Sequence, residues 1–252
     1  MLTLAIMAPQ TSRPRGRKTL DRVLSLAGVG SRTEARRWIQ ERRVGVNGRV
    51  VTDPERWIDP VRDEVALDGG PVRAAPKIYL LVHKPKAYLT TYRDPMGRKT
   101  VYDLLPRRDR YLFPVGRLDL DTSGLLVLTN DSAFAEALTN PEHEVPKTYL
   151  VKASRHLTDE QLERLRGGLV LKDGPTRPAL VNRRGEAGGR SVFEITITEG
   201  RNRQVRRMVE AQGAKVLKLV RVAIGDLRIG DLASGAVRPL LAEEVTRLVS
   251  PR

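Results

Sequence analysis

The 252-residue sequence predicts an α+β chain in two domains: a small one of two short helices and a hairpin, and a larger one on a mainly antiparallel mixed sheet flanked by helices and loops. Three observations carry this. The first 70 residues hold two helical patterns followed by an Asn-Gly turn between valine pairs, the remainder intersperses strand-like apolar stretches with short capped helices, and a Gly/Ala/Pro-rich stretch separates the two. The second part lacks regular βαβ spacing, and no G-x-G-x-x-G or P-loop string occurs, which argues against a Rossmann fold and a nucleoside triphosphatase. At this length each domain can bury its own core.

The elements follow in order. Behind the basic tail of residues 1–17, which includes Arg13-Pro14-Arg15-Gly16-Arg17, the residues Leu20, Val23, Leu24 and Ala27 form one apolar helical face. Gly28 and Gly30 break that helix. Ser31 with Glu34 three positions later is a capping box that starts a second helix through Trp38 and Ile39, with Arg32, Arg36 and Arg37 outward. Val44 and Val46 alternate before Asn47-Gly48, a strong hairpin signal, and Val50-Val51 continue beyond it. This small domain is expected over residues 18–70, with a linker over 71–76 bracketed by Gly69-Gly70-Pro71 and Ala74-Ala75-Pro76. The larger domain, 77–252, opens with a strand at Ile78 to Val82. Further strands are expected at Leu125 to Leu128, Tyr149 to Val151 and the alternating Val192 to Thr198. Asp131 caps a helix near Phe134 to Leu138, and Thr158 with Gln161 caps another that stops at Gly167-Gly168.

Composition narrows the function. Lys and Arg number 45 against 30 Asp and Glu, a formal net charge of +15, which attracts a polyanion. Nucleic acid is the expected partner, because a membrane surface would call for a basic amphipathic helix with a wide apolar face, and none stands out. The absence of cysteine excludes a disulfide scaffold, a thiolate nucleophile and a Cys-ligated zinc site, and points to the cytoplasm. His83, His143 and His156 show no H-x-x-x-H spacing, so neither a metal nor another cofactor is expected. The apolar run Met1 to Ala8 is too short for a membrane span and no positive segment precedes it; it reads as disordered tail, or as an over-extended start with Met7 as initiator.

The segment richest in chemistry is Gly116-Arg117-Leu118-Asp119-Leu120-Asp121-Thr122-Ser123-Gly124, which runs into Leu125-Leu126-Val127-Leu128-Thr129-Asn130-Asp131. It sets carboxylates in a glycine-bounded loop leading into a buried strand, a common active-site arrangement. From the residues alone, Asp119 or Asp121 is a candidate, and either also suits a turn. Further strings occur in order: His83-Lys84-Pro85, Lys147-Thr148-Tyr149, Glu199-Gly200-Arg201-Asn202-Arg203-Gln204-Val205-Arg206-Arg207-Met208, and Leu219-Val220-Arg221 leading to Ile224-Gly225.

These strings resemble the RsuA/RluB family of ribosomal RNA pseudouridine synthases, and the region 18–70 resembles the alpha-L RNA-binding module, on Ser31-Arg32-Thr33-Glu34-Ala35 leading to Val44-Gly45-Val46-Asn47-Gly48. Departures are Arg42, where the module usually has glycine, Ser132 for glycine and His83 for asparagine. The resemblance implies a synthase domain behind an alpha-L domain and the isomerisation of a specific uridine in ribosomal RNA, with the large-subunit type favoured. It names Asp119 as the catalytic aspartate, Arg206 as its arginine partner, Tyr149 as the aromatic on which the target base stacks, and Leu219 as the apolar residue closing the pocket. Arg32, Arg36, Arg37, Arg42, Arg43, Lys84, Arg117, Arg201, Arg203 and Arg207 are the expected RNA contacts, Arg117 filling the stack vacated by the flipped base. Ribosomal RNA or an assembly intermediate containing it is the partner implied, and the protein is expected to be a monomer. The competing readings are a catalytically silent ribosome-assembly factor of the same fold and a related enzyme acting on tRNA.

Overall fold

A computed structural model describes residues 16–73, 76–106 and 111–250. The opening apolar run and most of the basic tail, with Ala74-Ala75 of the expected linker, lie outside the described residues. The chain divides into two compact units, Met1–Pro76 and Lys77–Arg252.

In the N-terminal unit, β1 (Lys18–Thr19) leads directly into α1 (Leu20–Leu26), and α2 (Arg32–Gln40) follows behind the Ser31–Glu34 capping box, with both reciprocal hydrogen bonds made. Strands β2 (Val44–Val46) and β3 (Arg49–Val50) form the Asn47-Gly48 hairpin, β4 (Trp57–Ile58) pairs with β1, and β5 (Val65–Leu67) pairs with β2 and with β6 (Gly70–Pro71). Leu20, Leu24, Ala35, Ile39, Val44 and Ile58 are wholly excluded from solvent and make one core. One expectation changes here. Gly69 to Pro71 do not open a linker: Asp68 (φ 51°) and Gly69 (φ 78°) form a second hairpin turn, and Val72 N–H donates to Val65 O at 2.8 Å. Arg42, where the module usually has glycine, adopts the left-handed conformation at φ 61°.

The second unit comprises β7 (Tyr79–Lys84), a 3₁₀ turn (Val101–Leu104), β8 (Phe113–Pro114), β9 (Ser123–Thr129), α3 (Ser132–Thr139), a 3₁₀ turn (Pro141–His143), β10 (Lys147–Ala153), α4 (Asp159–Gly167), the hairpin β11 (Val170–Leu171) and β12 (Gly174–Pro175), β13 (Leu180–Glu186), β14 (Ser191–Ile197), α5 (Gln204–Ala211), β15 (Val216–Ile224), β16 (Leu227–Arg228), β17 (Val237–Pro239) and α6 (Ala242–Val249). Among the described residues a nine-stranded sheet runs β13-β14-β10-β15-β9-β7-β17, with β16 on β15 and β8 on β9. Its pairs are antiparallel except β9 with β15, which is parallel. Asp131 caps α3 and Thr158 with Gln161 caps α4, as their spacing predicts.

The four residues Leu125 to Leu128 are all wholly buried, which is why β9 reads as a continuous apolar run. On one side Leu162 and Leu165 of α4 and Val205 and Val209 of α5 pack with Phe193 and Ile195. Phe134 and Leu138 of α3 and Leu248 of α6 meet Leu81, Leu125 and Val127. Where β9 starts, its pairing with β15 brings Gly124 against Arg221 so closely that a Cβ would lie 2.3 Å from the Arg221 carbonyl oxygen.

Candidate active site

The loop from Val115 to Thr122 joins β8 to β9 and carries both candidate carboxylates. It is fastened at several points. Leu118 and Thr122 are buried, Thr90 Oγ1 donates to Leu118 O at 2.8 Å, Ala87 N–H donates to Leu120 O at 2.8 Å, and Thr122 N–H donates to Asp119 O at 3.1 Å. Beneath the loop Lys84 is fully buried, its Nζ donating to Thr122 O at 2.8 Å and Pro85 O at 3.1 Å. Burial lowers the pKa of this amine to about 8, against the opposing pull of Asp119 and Asp121. Lys84 is thus a support for the loop, and its expected contact with RNA is corrected: a fully buried ammonium spent on two backbone carbonyls does not reach a phosphate.

The two aspartates divide their partners. Asp119 Oδ2 lies 3.6 Å from Arg203 Nη1, with a third of its side chain exposed. Asp121 takes hydrogen bonds from Arg203 Nη1 and Nη2 at 3.1 and 3.2 Å and an ion pair from Arg206 Nη2 at 3.2 Å. Burial raises the Asp121 pKa, but the Arg203 hydrogen bonds and both cations outweigh it, so the net shift is downward. Arg206 is almost wholly buried. Its Nη2 also donates to Asp121 O at 3.0 Å and Thr122 Oγ1 at 3.3 Å, and Nη1 donates to Val216 O at 3.3 Å. The expected Arg206–Asp119 pair is therefore replaced by Arg206–Asp121, with Arg203 nearest Asp119. The reason is the α5 boundary: the helix starts at Gln204, behind Arg203 in the left-handed conformation (φ 49°), so Arg201 and Arg203 precede the helix and do not share a face with Arg206.

Asp119 opens onto a cleft of about 800 Å³, which Arg117, Lys147, Tyr149, Arg203, Leu219 and Arg221 also line. The sheet sets four of these on one face. Tyr149 of β10 stands opposite Arg221 of β15, Lys147 is two residues before Tyr149, and Leu219 is two before Arg221. Tyr149 is half-buried and packs on the cores to either side, while Leu219 is buried. Arg117 is exposed on the rim. The far wall is the segment from Ile197 to Val205 with Arg177, and behind it stands the β11–β12 hairpin. Arg201 donates from Nη1 to Gly174 O at 3.0 Å and from Nη2 to Pro175 O, and Arg207 grips Asp173 through two bonds of 2.7 and 2.9 Å. Both arginines, expected on RNA, are bound within the protein and tie the segment around α5 to this hairpin.

In the N-terminal unit Asp21 is completely buried and collects Arg32 (Nη2 at 2.8 Å) and Arg36 (Nε at 2.8 Å), whose side chains remain about half exposed. Arg43 pairs with Asp68 at 2.7 and 2.9 Å and Arg37 lies 3.6 Å from Glu41. Arg42 is exposed. Sequence reasoning missed Asp21, Asp121 as an arginine anchor, and the cleft cations Lys147 and Arg221. Strand alternation places the last two on the face of Tyr149 and Leu219, so the signal for them was present.

Comparison with known proteins identifies the two domains. The RNA pseudouridylate synthase family model matches residues 78–211, and an S4 domain model matches residues 18–60, within the segment read as an alpha-L module. The chain is 40% identical over 231 residues to "Ribosomal large subunit pseudouridine synthase B" of Bacillus subtilis, covering 91% of this chain and 94% of that one. It is 40% identical over 230 residues to an RNA pseudouridine synthase of Aquifex aeolicus, covering 91% and 92%. A crystal structure of a pseudouridylate synthase superposes with a TM-score of 0.67 at 30% identity, over 92% of this chain and 99% of that one. With the aspartate loop, the aromatic wall and the basic cleft in one domain behind an S4 domain, the chain belongs to the RNA pseudouridylate synthase family.

Proposed function

We propose that this protein converts a specific uridine of large-subunit ribosomal RNA to pseudouridine, with Asp119 as the reacting carboxylate. The observation that carries this reading is the position of Asp119 on the cleft whose wall is formed by Tyr149 and Leu219, a space of the size that takes one nucleotide. The B. subtilis relative, named for the large ribosomal subunit, supports the choice of RNA. Conversion breaks the N1–C1′ bond, turns the uracil and rejoins it through C5; a proton leaves C5 and one arrives at N1, so composition is unchanged. A stacked uridine does not reach a carboxylate, so the nucleotide flips out, with Tyr149 under the base and Leu219 closing the pocket. Asp119 stabilises or traps the oxocarbenium-like sugar. Arg203 and Arg206 order the loop through Asp121, and Arg117 stacks in the vacated space. The N-terminal unit docks the RNA through phosphate contacts of Arg32 and Arg36, which Asp21 orients. The protein acts as a cytoplasmic monomer; no described helix is long and apolar enough to cross a membrane.

The test is chemical mapping of pseudouridine in rRNA and tRNA from cells lacking the protein, with complementation by variants. Loss of one large-subunit rRNA site is expected, restored by the parent but not by Asp119→Asn. Asp121→Asn keeps the reacting carboxylate, loosens its two arginines and is expected to retain turnover at about a tenth of the parent rate, roughly 1.4 kcal/mol in the barrier. Loss of a tRNA site alone would transfer the activity to tRNA. An unchanged map would leave the assembly-factor reading, and full activity of Asp119→Asn would refute the catalytic assignment.

A further inference from the structure

Apart from Arg117 on the rim, Arg221 and Lys147 line the cleft with no carboxylate partner among the described residues. Arg221 is 4% exposed; its Nε donates to Leu125 O at 2.8 Å, and its Nη2 is buried without a hydrogen-bond partner. An orphaned guanidinium nitrogen at such depth costs free energy unless a ligand supplies an acceptor. Beside it is Lys147, on the same face of the sheet, whose amine makes no ion pair or hydrogen bond among the described residues. Burial lowers the pKa of Lys147, and the neighbouring Arg221 charge lowers it further. Two like charges held together in a partly closed site mark a place where negative charge arrives. The alternation of β10 and β15 sets Tyr149 and Leu219, the surfaces suited to a flat base, on this same face.

We propose that Lys147 and Arg221 form an oxyanion subsite for the departing uracil, taking its carbonyl oxygens as the glycosidic bond breaks. This rests on the function proposed above. When C1′–N1 cleaves, the bonding pair stays on the base and spreads from N1 onto the carbonyl oxygens, while the positive charge left at C1′ is met by Asp119. No proton moves in that step. Donors already fixed where the charge develops lower the barrier, because they need no reorganisation in the transition state. The two ends of the breaking bond are thus served by opposite charges, Asp119 at the sugar and the Lys147–Arg221 pair at the base. On rejoining, the electrons return through C5, C5 releases its proton and N1 accepts one.

The discriminating experiment uses Lys147, because Arg221 is also tied to the central strand and its replacement threatens folding. Single-turnover rates and RNA affinities are measured for the parent, Lys147→Met and Lys147→Arg on a substrate carrying uridine, and on the same RNA carrying 5-fluorouridine. Fluorine withdraws electrons and makes the base a better leaving group, so it depends less on the subsite. Lys147→Met is expected to slow uridine conversion by about 100-fold with RNA affinity within about threefold of the parent. With 5-fluorouridine C5 has no proton to release, so the rejoined base keeps its fluorine and takes up water across N1=C6, and that hydrated nucleoside is the product followed; its deficit shrinks to about tenfold or less, and Lys147→Arg recovers most of the uridine rate. An equal deficit on both bases would make Lys147 a structural residue and overturn the proposal. Weakened affinity with an unchanged rate at saturation would make it a phosphate contact, and an undiminished rate would remove it from the chemistry; both also overturn the proposal. The parent decides the underlying reading: if it converts neither substrate the proposed function fails and the subsite with it, whereas an active parent beside an indifferent Lys147→Met removes the subsite alone.

Discussion

Replacing Gly124 with alanine probes the closest approach in the synthase unit. Gly124 has φ +114°, and an added Cβ would lie 2.3, 2.5 and 2.9 Å from Arg221 O, N and C. Two costs combine. A non-glycine residue in the left-handed half of backbone space costs about 1–2 kcal/mol, and forcing a methyl into filled space costs about 1–3 kcal/mol more. The second cost stands near its upper end, because the atoms in the way are backbone of the parallel β9–β15 pair and not the end of a flexible side chain. The sum is about 2–5 kcal/mol, which in a unit of this size lowers the melting temperature by roughly 10 °C. Gly116→Ala is the control: its φ is +73° but its nearest neighbour is Thr139 Cγ2 at 3.7 Å, so it carries the backbone cost alone, about 1 kcal/mol. Both tryptophans, Trp38 and Trp57, lie in the N-terminal unit, so their fluorescence is blind to this change. Thermal unfolding followed by far-ultraviolet circular dichroism is expected to show the synthase transition moving while the tryptophan transition stays. Equal losses for Gly124→Ala and Gly116→Ala would refute the reasoning, since the contact with Arg221 would then cost nothing.

Three further outcomes follow from the structure. Arg42→Gly relieves a left-handed arginine at φ 61° and is expected to stabilise the N-terminal unit by about 0.5–1 kcal/mol after glycine's entropy cost, read by tryptophan fluorescence in urea; a loss of stability would mean that the Arg42 side chain contributes more than its backbone costs. Deleting residues 1–76 is expected to weaken RNA binding and flatten the fall of log affinity with log salt by about 0.7–0.9 per phosphate contact removed, with the rate at saturating RNA changed much less; an unchanged salt slope in a folded truncation would rule out phosphate docking by that unit. Lys84 carries a pKa pushed down to about 8 from 10.5, so between those values the unfolded chain binds the extra proton. Its contribution therefore makes stability rise with pH from about 8 to about 10.5, by up to about 3 kcal/mol, and leaves it level below and above that window. Lys84→Met is expected to lose that rise, and an identical pH profile in parent and variant would show that Lys84 keeps an ordinary pKa.

Much of this protein is legible before folding, and for local reasons. Capping boxes at Ser31 and Thr158, the Asp131 cap and the Asn47-Gly48 turn are written within four residues of chain, and each forms where its spacing places it. The aspartate loop, the Tyr149 strand and the Leu219 strand are legible as strings, and their meeting in one cleft is a product of the strand order β10-β15-β9. What the sequence did not decide is who pairs with whom. Arg201, Arg203, Arg206 and Arg207 look alike as a basic run, yet they end on Gly174 and Pro175, on Asp121, on Asp121 and Thr122, and on Asp173 respectively. Lys84 looks like one more RNA contact and is sealed under the loop, and Asp21 looks like a helix-start acid and is the buried anchor of two arginines. Charge and local pattern are properties of the chain, so composition alone determined that this protein suits a polyanion. Which cations remain free to meet that polyanion depends on contacts between residues far apart in the chain, 85 positions from Arg206 to Asp121 and 96 from Arg221 to Leu125, and those exist only once the sheet has closed around them.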